Sequence, residues 1–191
     1  MTPPEIRELY ARKAAAMARR PAFARATGAA RVKLGDGVLC QVEHDDRAQW
    51  VDLPVSDGGT GTGLFPGQLM RASLGACLAI GYRLWGARLE VPIVSVAIDI
   101  ACDIDARGQM GLASEAAVGW EQMRFMVTIV SPAPETEVRR VVELADRLSP
   151  MLANISPTVR RAHHLTVVAP ESGSMAAGSA GSLAPGSVAR G

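Results

Sequence analysis

Apolar positions change period several times along the chain, and each change marks an element. Ala30–Leu34, Val38–His44 and Gln49–Val55 alternate apolar with polar residues, the period of a half-buried strand. Gly35-Asp36-Gly37 is a turn signal between the first two, and Asp45-Asp46-Arg47 separates the next pair. From Pro66 to Arg88 the period is helical. Leu69, Ser73, Cys77, Ile80 and Leu84 make one face, and Met70, Leu74, Leu78 and Trp85 another. Apolar residues on more than one side predict a buried central helix. Pro66 suits its first position, where the backbone amide is unpaired anyway. Pro92 breaks away, and Ile93–Asp105 returns to strand alternation with Val94, Val96, Ile98 and Ile100 on one face. Arg107-Gly108 predicts a turn and Met123–Val130 a further strand. Pro134 opens a second helix, Glu135–Leu148, with Val138, Val141, Val142, Ala145 and Leu148 as its apolar stripe. His164–Ala169 is a last strand. This order predicts an α+β fold, a largely antiparallel sheet with a buried central helix, and not the strict alternation of a doubly wound fold.

The ends differ in kind from this middle. Residues 1–28 form a basic helical arm, in which Ile6, Tyr10 and Ala14 share one face and Pro21 ends the helix. Eight Lys/Arg fall within residues 1–33 against two acids, whereas the rest of the chain carries 12 against 17. The arm is read as a solvated surface helix, with an acidic partner or nucleic acid as the alternative. The formal net charge of +1 gives no whole-chain case for nucleic acid or acidic lipid. Residues 170–191 are nearly all Gly, Ser and Ala and are expected to be disordered, because they offer too little large apolar surface to offset their ordering entropy. Residues 29–169 are then the folded domain. No apolar run reaches the roughly 20 residues of a spanning helix, and no apolar signal core stands near the N-terminus. The N-terminus is Arg-rich, as in transit peptides, but Glu5 and Glu8 weigh against that. A cytoplasmic bacterial protein, with no membrane partner, is the simplest expectation.

Candidate chemistry is sparse. Three cysteines cannot all pair with one another, which argues against a secreted disulfide scaffold. Cys77 is the thiol of interest, although it lies about three turns into the central helix, beyond the reach of the positive helix end. Cys40 and Cys102 fall in strands and are read as packing residues. His163 and His164 point to opposite faces of an extended segment, and His44 is too far along its strand from Cys40 for joint ligation. No zinc signature is present, and no metal or cofactor is expected. Asp57–Gly63, DGGTGTG, looks superficially like a phosphate cradle. It lacks the Gly-Lys-Ser/Thr ending and the GxGxxG spacing, so it is read as a flexible connecting loop. Ser149-Pro150 suits the N-cap and first position of a short helix.

Three segments in register resemble the OsmC/Ohr family. In Phe65–Ala79, Pro66 opens the helix, Leu69 follows three positions later and Cys77 stands eleven positions after the proline. Asp105-Ala106-Arg107-Gly108-Gln109-Met110-Gly111 is similar to the family's Asp-x-Arg-Gly-x-x-Gly turn. Val138–Asn154, with Arg147-Leu148-Ser149-Pro150 inside it, is similar to the second helix and its Cys-Pro end. The resemblance spans roughly residues 30–169 and implies an OsmC-like fold assembled as an intertwined homodimer. It also implies reduction of organic hydroperoxides by two cysteines in a peroxide or oxidative-stress response. The first cysteine attacks the peroxide and becomes a sulfenic acid, the second resolves it as a disulfide, and a dithiol partner reduces the pair. A carboxylate near the start of the central helix and an arginine from an early strand support the first thiol in that family.

The chain departs from that pattern at two points. Ser149 occupies the resolving position, and a hydroxyl cannot form a disulfide. Gly67 and Gln68 stand where the carboxylate is expected, and Arg31 and Arg47 are both candidates for the arginine. The candidate site is therefore Cys77, Ser149 and Gln68. Three functions follow from these residues. One is a one-cysteine thiol peroxidase of weak activity that uses an external thiol reductant. The second is a non-enzymatic dimer binding a small apolar ligand in the inherited pocket. The third is a partner- or nucleic-acid-binding protein acting through the basic arm.

Overall fold

The computed structural model describes residues 1–44, 47–155 and 157–170, and of His44 the backbone alone. The expected Gly/Ser/Ala-rich tail thus lies outside the described residues except for its first. The chain opens with α1 (Pro3–Arg19) and continues through β1 (Arg31–Leu34), β2 (Cys40–His44) and β3 (Arg47–Val51) to the long helix α2 (Pro66–Leu89). It then runs through β4 (Ser95–Ile104), a short α3 (Ala106–Gln109), β5 (Trp120–Val130), α4 (Glu135–Arg147), a one-turn α5 (Pro150–Ala153) and β6 (Arg160–Val168). The strands form two sheets, β1-β2-β3 and β4-β5-β6, rather than one. All pairings are antiparallel except β5 with β6, which is parallel. The fold is α+β, as expected. Among the described residues no helix is long and apolar enough to cross a membrane.

Local chemistry explains the boundaries. Prolines stand at the first positions of α1, α2 and α5, where the missing amide costs nothing. The expected Arg107-Gly108 turn is a short helix, because the Asp105 carboxylate accepts the Arg107 amide and caps it. β3 ends earlier than the alternation suggests. At Asp52 the carboxylate gathers the amides of the following loop, and Val55–Asp57 winds into a 3-10 turn instead of extending. In β4 the residues Val96, Ile98, Ile100 and Cys102 face the core, opposite Ile129, Val127, Phe125 and Met123 of β5.

The core lies between the β4-β5-β6 sheet and the helices α2 and α4. Leu74, Leu78 and Tyr82 form a buried row on α2, and Val138, Val141, Val142 and Ala145 a buried stripe on α4. Full burial of a leucine or valine side chain contributes about 1.5–3 kcal/mol. The stripe stops at Ala145; Leu148, expected to continue it, is exposed because α4 has already ended. α2 is also less enclosed than its composition predicts. Within one chain its second face is open, with Met70 and Ile80 44% and 59% exposed. α1 docks on the far end of α2 through Ile6 and an Arg7–Glu90 ion pair.

α2 terminates by a tight reversal. Glu90 adopts the left-handed conformation (φ 59°), and the Val91 amide turns back onto the Gly86 carbonyl at 2.9 Å. Gly86 is buried under the returning chain. A Cβ there would lie 2.7 Å from Ile93 Cγ1 and 2.9 Å from the Val91 carbonyl oxygen. Gly86→Ala is therefore expected to cost a net of about 1–2 kcal/mol, the overpacking outweighing the better helix propensity of alanine. Thermal denaturation should show Tm lowered by roughly 2–8 °C for a chain of this size.

Candidate functional site

α2 and α4 bring the two candidate residues of the helix motifs together. Cys77 Sγ lies 3.8 Å from Ser149 Oγ, although the residues are 72 positions apart. Ser149 is buried and half-buried Cys77 borders it. Ser149 also caps α5, its Oγ accepting the Leu152 amide at 3.3 Å. One lone pair is thereby engaged, and the hydroxyl proton and the second lone pair are left to face the sulfur, so either atom can donate. The capping role and the contact with Cys77 coexist on one hydroxyl.

Gln68 sits elsewhere. Its side-chain carbonyl accepts the Phe65 amide at 3.2 Å and so caps the first turn of α2. Roughly 13 Å of helix axis separates it from Cys77 in the same chain. Arg31 and Arg47 both lie exposed on the β1-β2-β3 sheet, on β1 and β3 respectively. Arg71 approaches the start of α2 instead, its guanidinium 5.8 Å from the Phe65 ring centroid. It also lines a groove of about 340 Å³ between α2 and β4, together with Ala72, Gly75, Ala76, Ala79 and Ile98. Cys77 is not in that lining; its sulfur faces Ser149 at the start of α5.

The other thiols belong to strands. Cys102 packs against the core, and burial pushes its thiol above the ordinary range, with Arg71 opposing. Cys40 pairs with Leu34 and Val51 across the first sheet. All three cysteines are free. His163 and His164 do point to opposite faces: His163 stands beside Phe125, ring centroids 5.0 Å apart, while His164 pairs with Met126 in the outward register. Among the described residues no group of His, Cys, Asp or Glu is placed to hold a metal ion.

Two polar features carry no family motif. The first joins three elements: the Tyr82 hydroxyl donates to Asp146 Oδ1 at 2.8 Å, and His163 Nε2 lies 3.5 Å from Asp146 Oδ2. Burial raises the Asp146 carboxyl above its ordinary value, with the Tyr82 hydrogen bond and His163 opposing; burial also raises Tyr82. A signal for this pair exists in the sequence. Tyr82 continues the row Leu74, Leu78 at helical spacing, and Asp146 continues Val138, Val142. A polar residue in line with buried apolar ones needs a partner, and these two supply each other.

The second is the glycine loop, which is gathered by hydrogen bonds around one carboxylate. Asp52 is 1% exposed, and its carboxylate accepts the amides of Leu53, Thr60 and Thr62 and the Thr60 hydroxyl. The loop folds so closely that a Cβ on Gly59 would meet the Leu53 carbonyl oxygen at 2.0 Å. Its likeness to an anion cradle is real, but the anion is its own Asp52.

With this geometry in view, the comparisons with known proteins are specific. The family model described as OsmC-like protein matches residues 59–162, and the chain belongs to that family. An OsmC-like protein from Mycoplasma pneumoniae has the same fold, with a TM-score of 0.65 at 16% identity over 75% of this chain and 98% of that one. An organic hydroperoxide resistance protein OsmC from Legionella pneumophila gives 0.58 at 20% identity over 75% and 100%. An organic hydroperoxide resistance protein from Elizabethkingia anophelis gives 0.60 at 14% over 75% and 98%. No curated protein matches the chain.

The Asp52 loop yields a pH dependence of definite sign. Hydrogen bonding from Thr60, with further help from the Leu53, Thr60 and Thr62 amides and against the effect of burial, lowers the carboxyl from 3.8 to about 2. Its stabilisation is fully present above the unfolded value and is lost as pH falls through the folded one. Tm measured from about pH 4 to about pH 2 should fall for the wild type, and Asp52→Asn should start lower and lose less over the same interval.

Proposed function

We propose that this protein carries out thiol chemistry on organic hydroperoxides through Cys77 alone, slowly, within a bacterial cytoplasm under oxidative stress. The observation that carries the reading is the 3.8 Å contact between Cys77 Sγ and Ser149 Oγ. Cys77, read as the attacking thiol, there meets Ser149, read as the residue at the resolving position, with oxygen in place of a second sulfur. In the first step the Cys77 thiolate attacks the terminal peroxide oxygen. An S–O bond forms and the O–O bond breaks, so sulfur is oxidised by two electrons and the hydroperoxide leaves as an alcohol after taking a proton. Ser149 cannot displace that oxygen with a second sulfur. An external thiol does so, releasing water and forming a mixed disulfide, and a second thiol frees Cys77. Gln68 supports the start of α2 as a cap and supplies no carboxylate.

The groove of about 340 Å³ beside α2 favours a second reading, in which a dimer holds a small apolar ligand without turnover. Both readings place the chain in a homodimer. The support is the β1-β2-β3 sheet, where Val32 and Leu34 share one face and are 59% and 66% exposed, together with the open face of α2 at Met70 and Ile80. A small sheet is stable only when its apolar face is packed on something, and a second copy offers the matching surface.

Two measurements test this. Peroxide consumption with an organic hydroperoxide and a dithiol reductant should be slow for the wild type and absent for Cys77→Ala. The combination Ser149→Cys with Gly67→Glu should raise turnover by about tenfold or more, equivalent to about 1.4 kcal/mol of barrier. Mass spectrometry should then find a bridge from Cys77 to position 149 and none to Cys40 or Cys102. Equal consumption by wild type and Cys77→Ala leaves the ligand-binding reading. Sedimentation equilibrium at micromolar concentration should give a dimer mass, and a folded monomer there would refute the assembly.

A further inference from the structure

Asp146 is a carboxylate set at the end of an apolar row, where burial alone works against it. Its Oδ1 accepts the hydroxyl of Tyr82, which is fully buried, at 2.8 Å. Its Oδ2 faces His163 Nε2 of β6 at 3.5 Å. A pair of hydrophobic residues would fill the same space without the desolvation cost. What the hydrogen bond adds is direction. Apolar rows specify register through how well they interdigitate, and a bond of fixed length between α2 and α4 adds a directional constraint to that packing.

That register matters because both ends of the bond adjoin the thiol contact. Tyr82 follows Cys77 on α2 by little more than a turn. Asp146 precedes Ser149 by three residues, and its main-chain carbonyl accepts the Ser149 amide at 3.2 Å. Asp146, in the last turn of α4, therefore also anchors the turn that delivers Ser149. The helices are close at this level: a Cβ on Gly81 would lie 3.8 Å from the Ala145 Cβ. A slip of one residue moves a helix by about 1.5 Å, enough to abolish a 3.8 Å contact.

We infer that Asp146 is a positioning residue: held by the Tyr82 hydroxyl through its side chain and bonded to Ser149 through its main chain, it locks α4 in register with α2 and so sets the Cys77–Ser149 spacing. His163 of β6 stands 3.5 Å from the second carboxylate oxygen. Its importance for catalysis rests on the reading of Cys77 and Ser149 as the reacting pair, but the spacing itself is measurable without any peroxide.

The experiment uses the full chain carrying Ser149→Cys as the parent. The equilibrium constant for the disulfide between Cys77 and the introduced thiol at position 149 is measured against oxidised and reduced glutathione, two protein thiols being oxidised as one glutathione disulfide is reduced. Peptide mass spectrometry identifies the bridge. Adding Tyr82→Phe or Asp146→Ala should lower that constant by about tenfold, the effect of one hydrogen bond to a charged acceptor. Asp146→Asn keeps an acceptor for Tyr82 and should stay within about threefold of the parent, a neutral bond being roughly half as strong. Val141→Ala, a core cavity elsewhere on α4, should lower Tm and leave the constant unchanged, which separates register from general stability. The inference is overturned if Tyr82→Phe and Asp146→Ala match the parent, if Val141→Ala lowers the constant as much as they do, or if the parent forms no bridge between Cys77 and position 149. Absence of peroxide turnover, with these shifts intact, would remove the enzymatic reading and leave the lock standing.

Discussion

α2 and α4 meet along rows that are apolar for two turns and polar at the third, and the rest of the domain is arranged around that meeting. Leu74 and Leu78 on one helix and Val138 and Val142 on the other supply the burial, with Tyr82 and Asp146 closing the rows. The β4-β5-β6 sheet covers the same rows from one side through Met123, Phe125, Val127 and Ile129, all essentially inaccessible. Because the helices are this close, Cys77 and Ser149 touch at the edge of the same contact. The site is thus a by-product of core packing: no loop has to close to assemble it.

The same packing accounts for what is chemically spare here. Ser149 is asked to cap α5 and to face a thiol, and a serine does both where a cysteine would cap poorly. Gln68 caps α2 with a neutral amide. Both residues therefore serve as caps, Ser149 for α5 and Gln68 for α2. Membership of the OsmC-like family is therefore a statement about fold and register, and the chemistry is decided by individual side chains.

Much of the fold was legible because punctuation and period agreed. Pro66, Pro134 and Ser149-Pro150 marked helix starts to within a residue, and the alternation of Val96, Ile98 and Ile100 identified the core face of β4, whereas Val94, read with them, lies before the strand and is exposed. The Cys77–Ser149 contact was legible only as a resemblance, since no local rule joins residues 72 positions apart. Three features were out of reach for physical reasons. The division into two sheets depends on which strands pair in space, and period alone does not say that. The parallel pairing of β5 and β6 requires the chain to pass through α4 and α5 first. The order in the glycine loop comes from Asp52, a residue outside the glycine run, whose carboxylate supplies the anion that the loop's amides turn towards.

That loop divides the chain by the range of its contacts. Asp52 reaches residues eight and ten positions away, and β1 to β3 follow one another as hairpins. The Tyr82–Asp146 bond spans 64 positions, and β5 and β6 beside it pair across intervening helices. Short closures cost little chain entropy and form quickly, whereas long ones must await the ordering of everything between their ends. The Asp52 loop can therefore close as soon as its own few residues have been made, while the β1-β2-β3 hairpins, short in range as they are, still need a surface to pack on. The thiol contact must wait until α4 and the turn after it have been made, so the part of the molecule with most chemistry is among the last to become itself.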